Sequence, residues 1–495
     1  MACPHFLHSN PSTERKAVPT KFKAITQPGP REARVISPTL SARAPGSPHQ
    51  SQQRRVLISP LGMLSKEFEV DPSLTIGKKV NVRLGTAAVL FMLVSSLDRV
   101  NISFAALRMN SALGLTPGEY GFGAGILFAG FLAGQYPSVL WLQKVGMKPW
   151  ITTCSIVWAV CAGGVAFART PDQFYVLRIL LGVAEGGLAP GIVLYLSQFA
   201  TERERARTFV WPMLAIPLSI VIGSPISGWL MSIKAPLGVA SWRLMLFSEA
   251  LPALALGIAA WFYFPETPDR ARWLTEEEKE WLRSHASHNL KASVKNDWTV
   301  LASPLVMAAA LLWFGLLAGA YGIMFWLPQV IKQMTSASIL DVGWVNALPW
   351  LGAMLGMYCN SAHSDRTGER FWHIAVPASL SAAGILGAWG AGTGLVALGA
   401  LLVTGMGLGA AQGAFWALPT KVLDQSTLPV AVVAINIVGS AGGIVMPHLI
   451  GYVLERTGGF AVPTALICGI LLASAALVGA IRAAPSVSSV FRAAS

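Results

Sequence analysis

Between residues 84 and 482 the chain alternates long apolar runs with short polar breaks. A helix rises about 1.5 Å per residue, so about 20 apolar residues cross the hydrocarbon layer of a bilayer. The pattern predicts spans at 84–107, 120–142, 149–168, 173–199, 206–231 and 241–264, then at 305–330, 341–361, 372–391, 396–422, 428–452 and 461–482. These twelve runs predict an all-α membrane protein. One long polar stretch, 265–304, divides them six and six. In it Thr275 and Glu278 stand at capping-box spacing ahead of Trp281 and Leu282. That predicts a short amphipathic helix at the membrane surface, its acidic run forming a solvated face.

Composition agrees with the pattern. Hydrophobic residues make up 53% of the 495 and charged ones 12%, against about 25% charged in soluble domains. The net charge of +13 would suggest nucleic acid in a soluble protein, but its location argues otherwise. Residues 1–60 hold nine Lys or Arg, two acids and nine prolines, without an apolar run. Such a segment is no secretory signal and is expected to be disordered, with Met63 a candidate natural start. The chain therefore divides into a cytoplasmic tail (1–83), a first six-helix bundle (84–264), a cytoplasmic loop (265–304), a second six-helix bundle (305–482) and a C-terminal tail (483–495). From Lys78 onward, 19 basic residues fall on the side of the termini and six opposite, which places both termini in the cytoplasm. The five cysteines show no metal-ligand spacing, so neither a metal nor a disulfide framework is expected.

Against this apolar background the intramembrane charges stand out. The span 84–107 carries Asp98, Arg99 and Asn101 in its interior, with Asp98 about 20 Å from its start and about 13 Å from its end. Arg178 and Glu185 lie seven apart on the fourth span, hence on one face, and Glu249 lies in the sixth. A charge at that depth costs about 2.5–3.5 kcal/mol unless it is paired or hydrated. Asp98 falls between Arg178 and Glu185 in depth, so facing helices would let Asp98 reach Arg178 and Arg99 approach Glu185. Arginine's fork suits a carboxylate ligand, and buried acids beside arginines suit proton binding. Asp98 and Glu185 are thus the candidate proton-coupling acids. Arg99 is the candidate substrate ligand, with Asn101 a further substrate-binding candidate and Arg178 mainly organising the acids, and Glu249 is either structural or cavity-lining. The second half places no charge in its spans. Asn436 and Trp416 lie at equal depth and are expected to face one another across a cavity, with Tyr321 and Gln412 as further candidates.

The chain also repeats. Lys144-Val-Gly146-Met-Lys148-Pro-Trp150 follows the second span, and Arg366-Thr-Gly368-Glu-Arg370-Phe-Trp372 follows the eighth, 222 residues later. The second copy is preceded by Asp365, where the first has Gln143. Two six-helix halves in one orientation explain the repeat.

With these motifs the sequence resembles the major facilitator superfamily, and within it the anion:cation symporters, which include permeases for tartrate, phthalate, hydroxyphenylacetate and sugar acids. The matching stretches include LDRVNISFAAL at 97–107, RILLGVAEGGLAPGIVLYLSQF at 178–199, RERARTF at 203–209, HSDRTGER at 363–370 and INIVGSAGG at 435–443. The resemblance implies proton-coupled uptake of a small organic anion by alternating access. It implies coupling and substrate binding by Asp98, Arg99, Arg178 and Glu185, with gating loops at Lys144, Gly146, Lys148, Asp365, Arg366, Gly368 and Arg370. Expected partners are the anion, protons and the lipid bilayer, with no cofactor beyond the proton gradient, no nucleic acid and a monomeric state in the inner membrane. Ser96 stands where many relatives carry a Tyr. An organic-phosphate antiporter, a drug exporter (GSPISG at 223–228) and a non-transporting sensor are the alternatives. No P-loop, HExxH or clustered His and Cys supports an enzyme.

Overall fold

In a computed structural model, residues 72–199, 202–234, 238–285, 303–423 and 427–483 are described. The tail through residue 71, the candidate start Met63, most of the loop after 285 and the C-terminal residues 484–495 lie outside them.

Every regular element among the described residues is helical. The chain enters through α1 (Pro72–Val80) and a π-helical stretch (Asn81–Gly85), which run on into α2 (Thr86–Leu113). Residues 72–83 are therefore helix rather than the end of a tail. Ile76, Val80 and Leu84, each at most 1% exposed, form an i, i+4 stripe that buries one face. The basic Lys78, Lys79 and Arg83 between them conceal that stripe from a hydropathy reading. Gly114, at φ 66°, turns the chain out of α2. Thr116 and Glu119 then cap α3 (Pro117–Val145) with a reciprocal box.

The first half continues with α4 (Met147–Val165), α5 (Pro171–Gly186), α6 (Leu188–Leu196), α7 (Glu202–Ser232) and α8 (Ser241–Tyr263). A short surface helix, α9 (Glu276–His285), follows, with the expected Thr275–Glu278 box in place. Its acidic run is not wholly a solvated face. Lys79 Nζ lies 2.7 Å from Glu278 Oε1 and ties α1 to α9. The second half comprises α10 (Pro304–Met334), α11 (Ile339–Thr367), α12 (Trp372–Ala391), α13 (Leu395–Phe415), α14 (Ala417–Val422), α15 (Leu428–Thr457) and α16 (Ala461–Ala483).

Eleven helices, rather than the expected twelve, are long and apolar enough to span a bilayer among the described residues. The predicted third span corresponds to α4, whose Lys148, Thr152, Thr153 and Ser155 dilute its hydropathy. Packing follows the internal repeat. α2 meets α7, α3 meets α5 and α4 meets α8, while α10 meets α15, α11 meets α13 and α12 meets α16. Across the halves α3 lies on α15, and α7 on α11. Both seams close tightly at the end that carries the α2–α3 and α10–α11 loops. A Cβ on Gly121 would stand 2.3 Å from the Pro447 carbonyl oxygen, so only glycine lets α3 and α15 approach this closely there. On the other seam Asn346 Nδ2 donates to Ser224 Oγ at 2.8 Å.

The fourth and tenth runs are each broken at corresponding places. α5 stops at Gly186, one residue past Glu185, and α13 stops at Phe415, beside Trp416. Paired interruptions in the two halves of a repeat mark where helical transporters place their sites.

Candidate functional site

Asp98, Arg99, Arg178 and Glu185 converge where α2 faces α3 and α5. Arg99 Nε lies 3.1 Å from Glu185 Oε2. The alignment is not that of a hydrogen bond. Ser95, one turn before Arg99, completes the link: Arg99 Nη2 donates to Ser95 Oγ at 2.8 Å, and Ser95 Oγ donates to Glu185 Oε2 at 3.1 Å. The Arg99 side chain is 14% exposed, whereas that of Glu185 is fully buried. The guanidinium also sits over the Phe131 ring, 5.4 Å from its centroid. Arg99 therefore presents a largely covered positive charge with a small exposed part. The other oxygen of Glu185, Oε1, is buried without a hydrogen-bond partner.

Asp98 is held differently. Asn101 Nδ2 donates to its Oδ1 at 3.2 Å, and Trp158 Nε1 donates to its Oδ2 at 2.7 Å. The expected ion pair with Arg178 does not form. Arg178, 1% exposed, instead points Nε and Nη2 at the carbonyls of Gly123 and Ala124 on α3, each at 3.4 Å. It lies within electrostatic reach of Glu185, Tyr120 and Asp98, so it sits among the acids without bonding to one. The glycine-rich face of α3 exposes the carbonyls that draw the guanidinium away.

Glu249 joins the same polar core. Ser227 Oγ on α7 donates to its Oε1 at 2.7 Å, while Oε2 is buried and unpartnered.

Among the neutral candidates, Tyr321 packs against Phe128 with ring centroids 4.3 Å apart and lies within electrostatic reach of Arg99. Gln412 turns to the Leu316 carbonyl at 3.4 Å. Trp416 lies among aromatic rings. It packs edge-on to Trp313, at 5.1 Å, and to Phe415, at 5.2 Å. Asn436 is half-buried with no hydrogen bond among the described residues.

At the loop ends, Gly146 takes φ 85° and opens α4. The acid missing at Gln143 is supplied from elsewhere: Glu266, just past α8, accepts from the backbone N–H of Met147 at 2.8 Å and of Lys148 at 3.1 Å. Lys144 precedes that turn. In the second copy Glu369 does the same for Trp372 and His373. Arg370 pairs with Asp365 at 2.7 Å, Gly368 accepts from Lys421 at 2.6 Å, and Arg366 is exposed. Sequence reasoning missed Ser95, Trp158, Ser227 and Glu266. Only Ser95 and Glu266 left a signal, as a hydroxyl one turn before an intramembrane Arg and an acid at a span's end.

The family profile of the Major Facilitator Superfamily matches residues 88–447. An Agrobacterium vitis protein named "Putative tartrate transporter" is 41% identical over 410 residues, covering 81% of this chain and 90% of its own. A quinolone resistance transporter of Acinetobacter baumannii is 30% identical over 402 residues, covering 80% and 91%. Among solved structures, a bacterial homologue of the human lysosomal transporter Spinster, inward-facing and unoccupied, superposes with a TM-score of 0.65 at 15% identity, covering 82% of this chain and 94% of its own. That likeness concerns the fold alone.

Proposed function

The chain belongs to the Major Facilitator Superfamily, and from that premise we propose that it is a proton-coupled symporter taking up a small organic carboxylate such as tartrate. The observation that carries this reading is Arg99, a partly exposed guanidinium at bilayer depth held by one carboxylate and one hydroxyl. An incoming carboxylate competes with Glu185 for it. Once displaced, Glu185 loses its compensating charge and binds a proton more readily, so anion and proton favour each other. Arg178 fixes the field around the acids and does not contact substrate. The halves 84–264 and 305–482 rock about the broken helices to expose the site to either side in turn. The protein acts as a monomer in the inner membrane with both termini cytoplasmic. The relative named for tartrate supports a carboxylate ligand.

The relative named for quinolone resistance favours one second reading, drug export by the same fold. A thermal-shift screen of the purified protein separates the two. Tartrate and other small carboxylates should stabilise wild type and leave Arg99→Lys unmoved. Stabilisation by quinolones or neutral sugars, but by no carboxylate, would reject the symport reading.

A further inference from the structure

Two buried carboxylates, Asp98 on α2 and Glu249 on the adjacent α8, lie in the first half with no basic group hydrogen-bonded or ion-paired to either among the described residues. Asn101 lies near both. Its amide donates to Asp98 Oδ1 at 3.2 Å, and it also faces Glu249. The two acids are close enough to feel each other's charge. Their level in the fold is fixed by Arg108, whose Nη1 donates to Ser241 Oγ at 2.5 Å. Counting from that contact, Asp98 lies about 15 Å deep along α2 and Glu249 about 12 Å deep along α8. Both carboxylates are at most 4% exposed.

The surroundings offer hydrogen bonds and no compensating ion. From α4 comes the Trp158 N–H on Asp98. From α7 comes the Ser227 hydroxyl on Glu249. Arg178 reaches Asp98 only through space, and Glu185 on α5 adds a third negative charge within reach of Asp98. Arg243, on α8 itself, is spent on the carbonyls of Ala166 and Ala168. Two negative charges this deep, without a bonded cation, are far costlier than one. The unpartnered Oε2 of Glu249 is where a carboxyl hydrogen would sit without losing an existing bond.

We propose that Asp98 and Glu249 share one proton as a coupled pair, and that Glu249 thereby sets the pH range over which Asp98 loads and releases protons during transport. This rests on the symport reading and divides its labour. Glu185 is the acid that trades places with substrate on Arg99, and the Asp98–Glu249 pair is the proton store. When the pair takes its proton, one O–H bond forms and the charge falls from −2 to −1. No other bond changes. The pair therefore titrates in two steps that belong to neither residue alone.

Infrared difference spectroscopy on the full chain in lipid tests this without any substrate. At neutral pH, wild type minus Glu249→Gln should show the carbonyl stretch of a protonated carboxyl, and Asp98→Asn should move that band. Absence of the band at every pH from about 5 to 8, or a band that Asp98→Asn leaves in place, overturns the shared proton. Transport supplies the second readout, with tartrate as probe in proteoliposomes. Glu249→Gln should keep exchange at equal pH within about twofold, yet shift the pH profile of uptake by a full unit, about tenfold in proton affinity. Glu249→Asp should restore the wild-type profile. An unshifted profile in Glu249→Gln, or joint loss of exchange and proton drive in both variants, makes Glu249 a packing residue and overturns the proposal. Proton-independent uptake by wild type would instead reject the symport reading, and the infrared band would still decide whether the pair exists.

Discussion

Arg99 Nε stands 3.1 Å from Glu185 Oε2, and Ser95 Oγ bridges the two side chains. The pair joins α2 to α5 one residue before α5 ends at Gly186. Breaking it frees a guanidinium on the exposed side and a carboxylate on the buried side. The two charges are thus unequal partners: Arg99 can find another anion, and Glu185 can only find a proton.

Glu185→Gln removes the competitor and leaves the cation. With the competing charge gone, equilibrium binding of the transported anion should tighten about tenfold, about 1.4 kcal/mol, and lose its pH dependence. Accumulation driven by a pH gradient should disappear. Calorimetric titration with tartrate across about pH 5 to 8 checks the first half, and weaker binding in this variant would contradict it.

The two arginines should respond differently to loss of the guanidinium. Arg99→Lys keeps a charge but loses the fork that grips both carboxylate oxygens, so affinity should fall by tenfold or more with the fold intact. Arg178→Lys gives up the contacts to the Gly123 and Ala124 carbonyls and should shift the pH dependence of transport more than affinity at the optimal pH. Measuring both affinities across that pH range decides between this assignment and its reverse.

The closed seam between α3 and α15 depends on Gly121. Backbone cannot yield to a side chain placed 2.3 Å from the Pro447 oxygen. Gly121→Val should cost about 1–3 kcal/mol of stability, seen as a lower thermal midpoint, and should slow uptake because the closed end no longer seals. An unchanged midpoint and rate would show that the seam is looser than the geometry implies.

The tie between α1 and α9 should depend on pH. Burial alone would push the Glu278 carboxyl up, but the Lys79 ammonium and the Thr275 N–H outweigh it and hold the group below its ordinary value. A lowered carboxylate contributes stability that is present above the unfolded value of about 4.3 and is lost as pH falls through the lower folded one. Lys79→Met should therefore cost less than about 1 kcal/mol near neutrality, since Lys79 is partly exposed. The difference from wild type should vanish in acid. A difference that persists there would assign the tie to packing.

Much of the helical order was legible because a bilayer leaves few options. Apolar runs of spanning length must be helices, and the intramembrane charges had to gather. Two failures have physical causes. The stripe of Ile76, Val80 and Leu84 was hidden because basic residues lie between its members, lowering mean hydropathy without breaking the helical period. The pairing of Arg178 was misjudged because depth and face ignore the α3 carbonyls, which became available only when small residues brought α3 and α5 together. Trp158 left no trace at all. An indole in an apolar span reads as packing until a carboxylate is placed beside its N–H.

The central claim is that anion and proton cross together through the Arg99–Glu185 site. Its most direct test is pH-gradient-driven tartrate uptake into proteoliposomes carrying a pH-sensitive dye inside. Wild type should accumulate tartrate only with an inward proton gradient, and each addition of tartrate should acidify the lumen. Asp98→Asn and Glu185→Gln should lose both effects, while exchange at equal pH survives in at least one of them. Tartrate accumulation without lumenal acidification, or undiminished accumulation in both variants, would contradict the account.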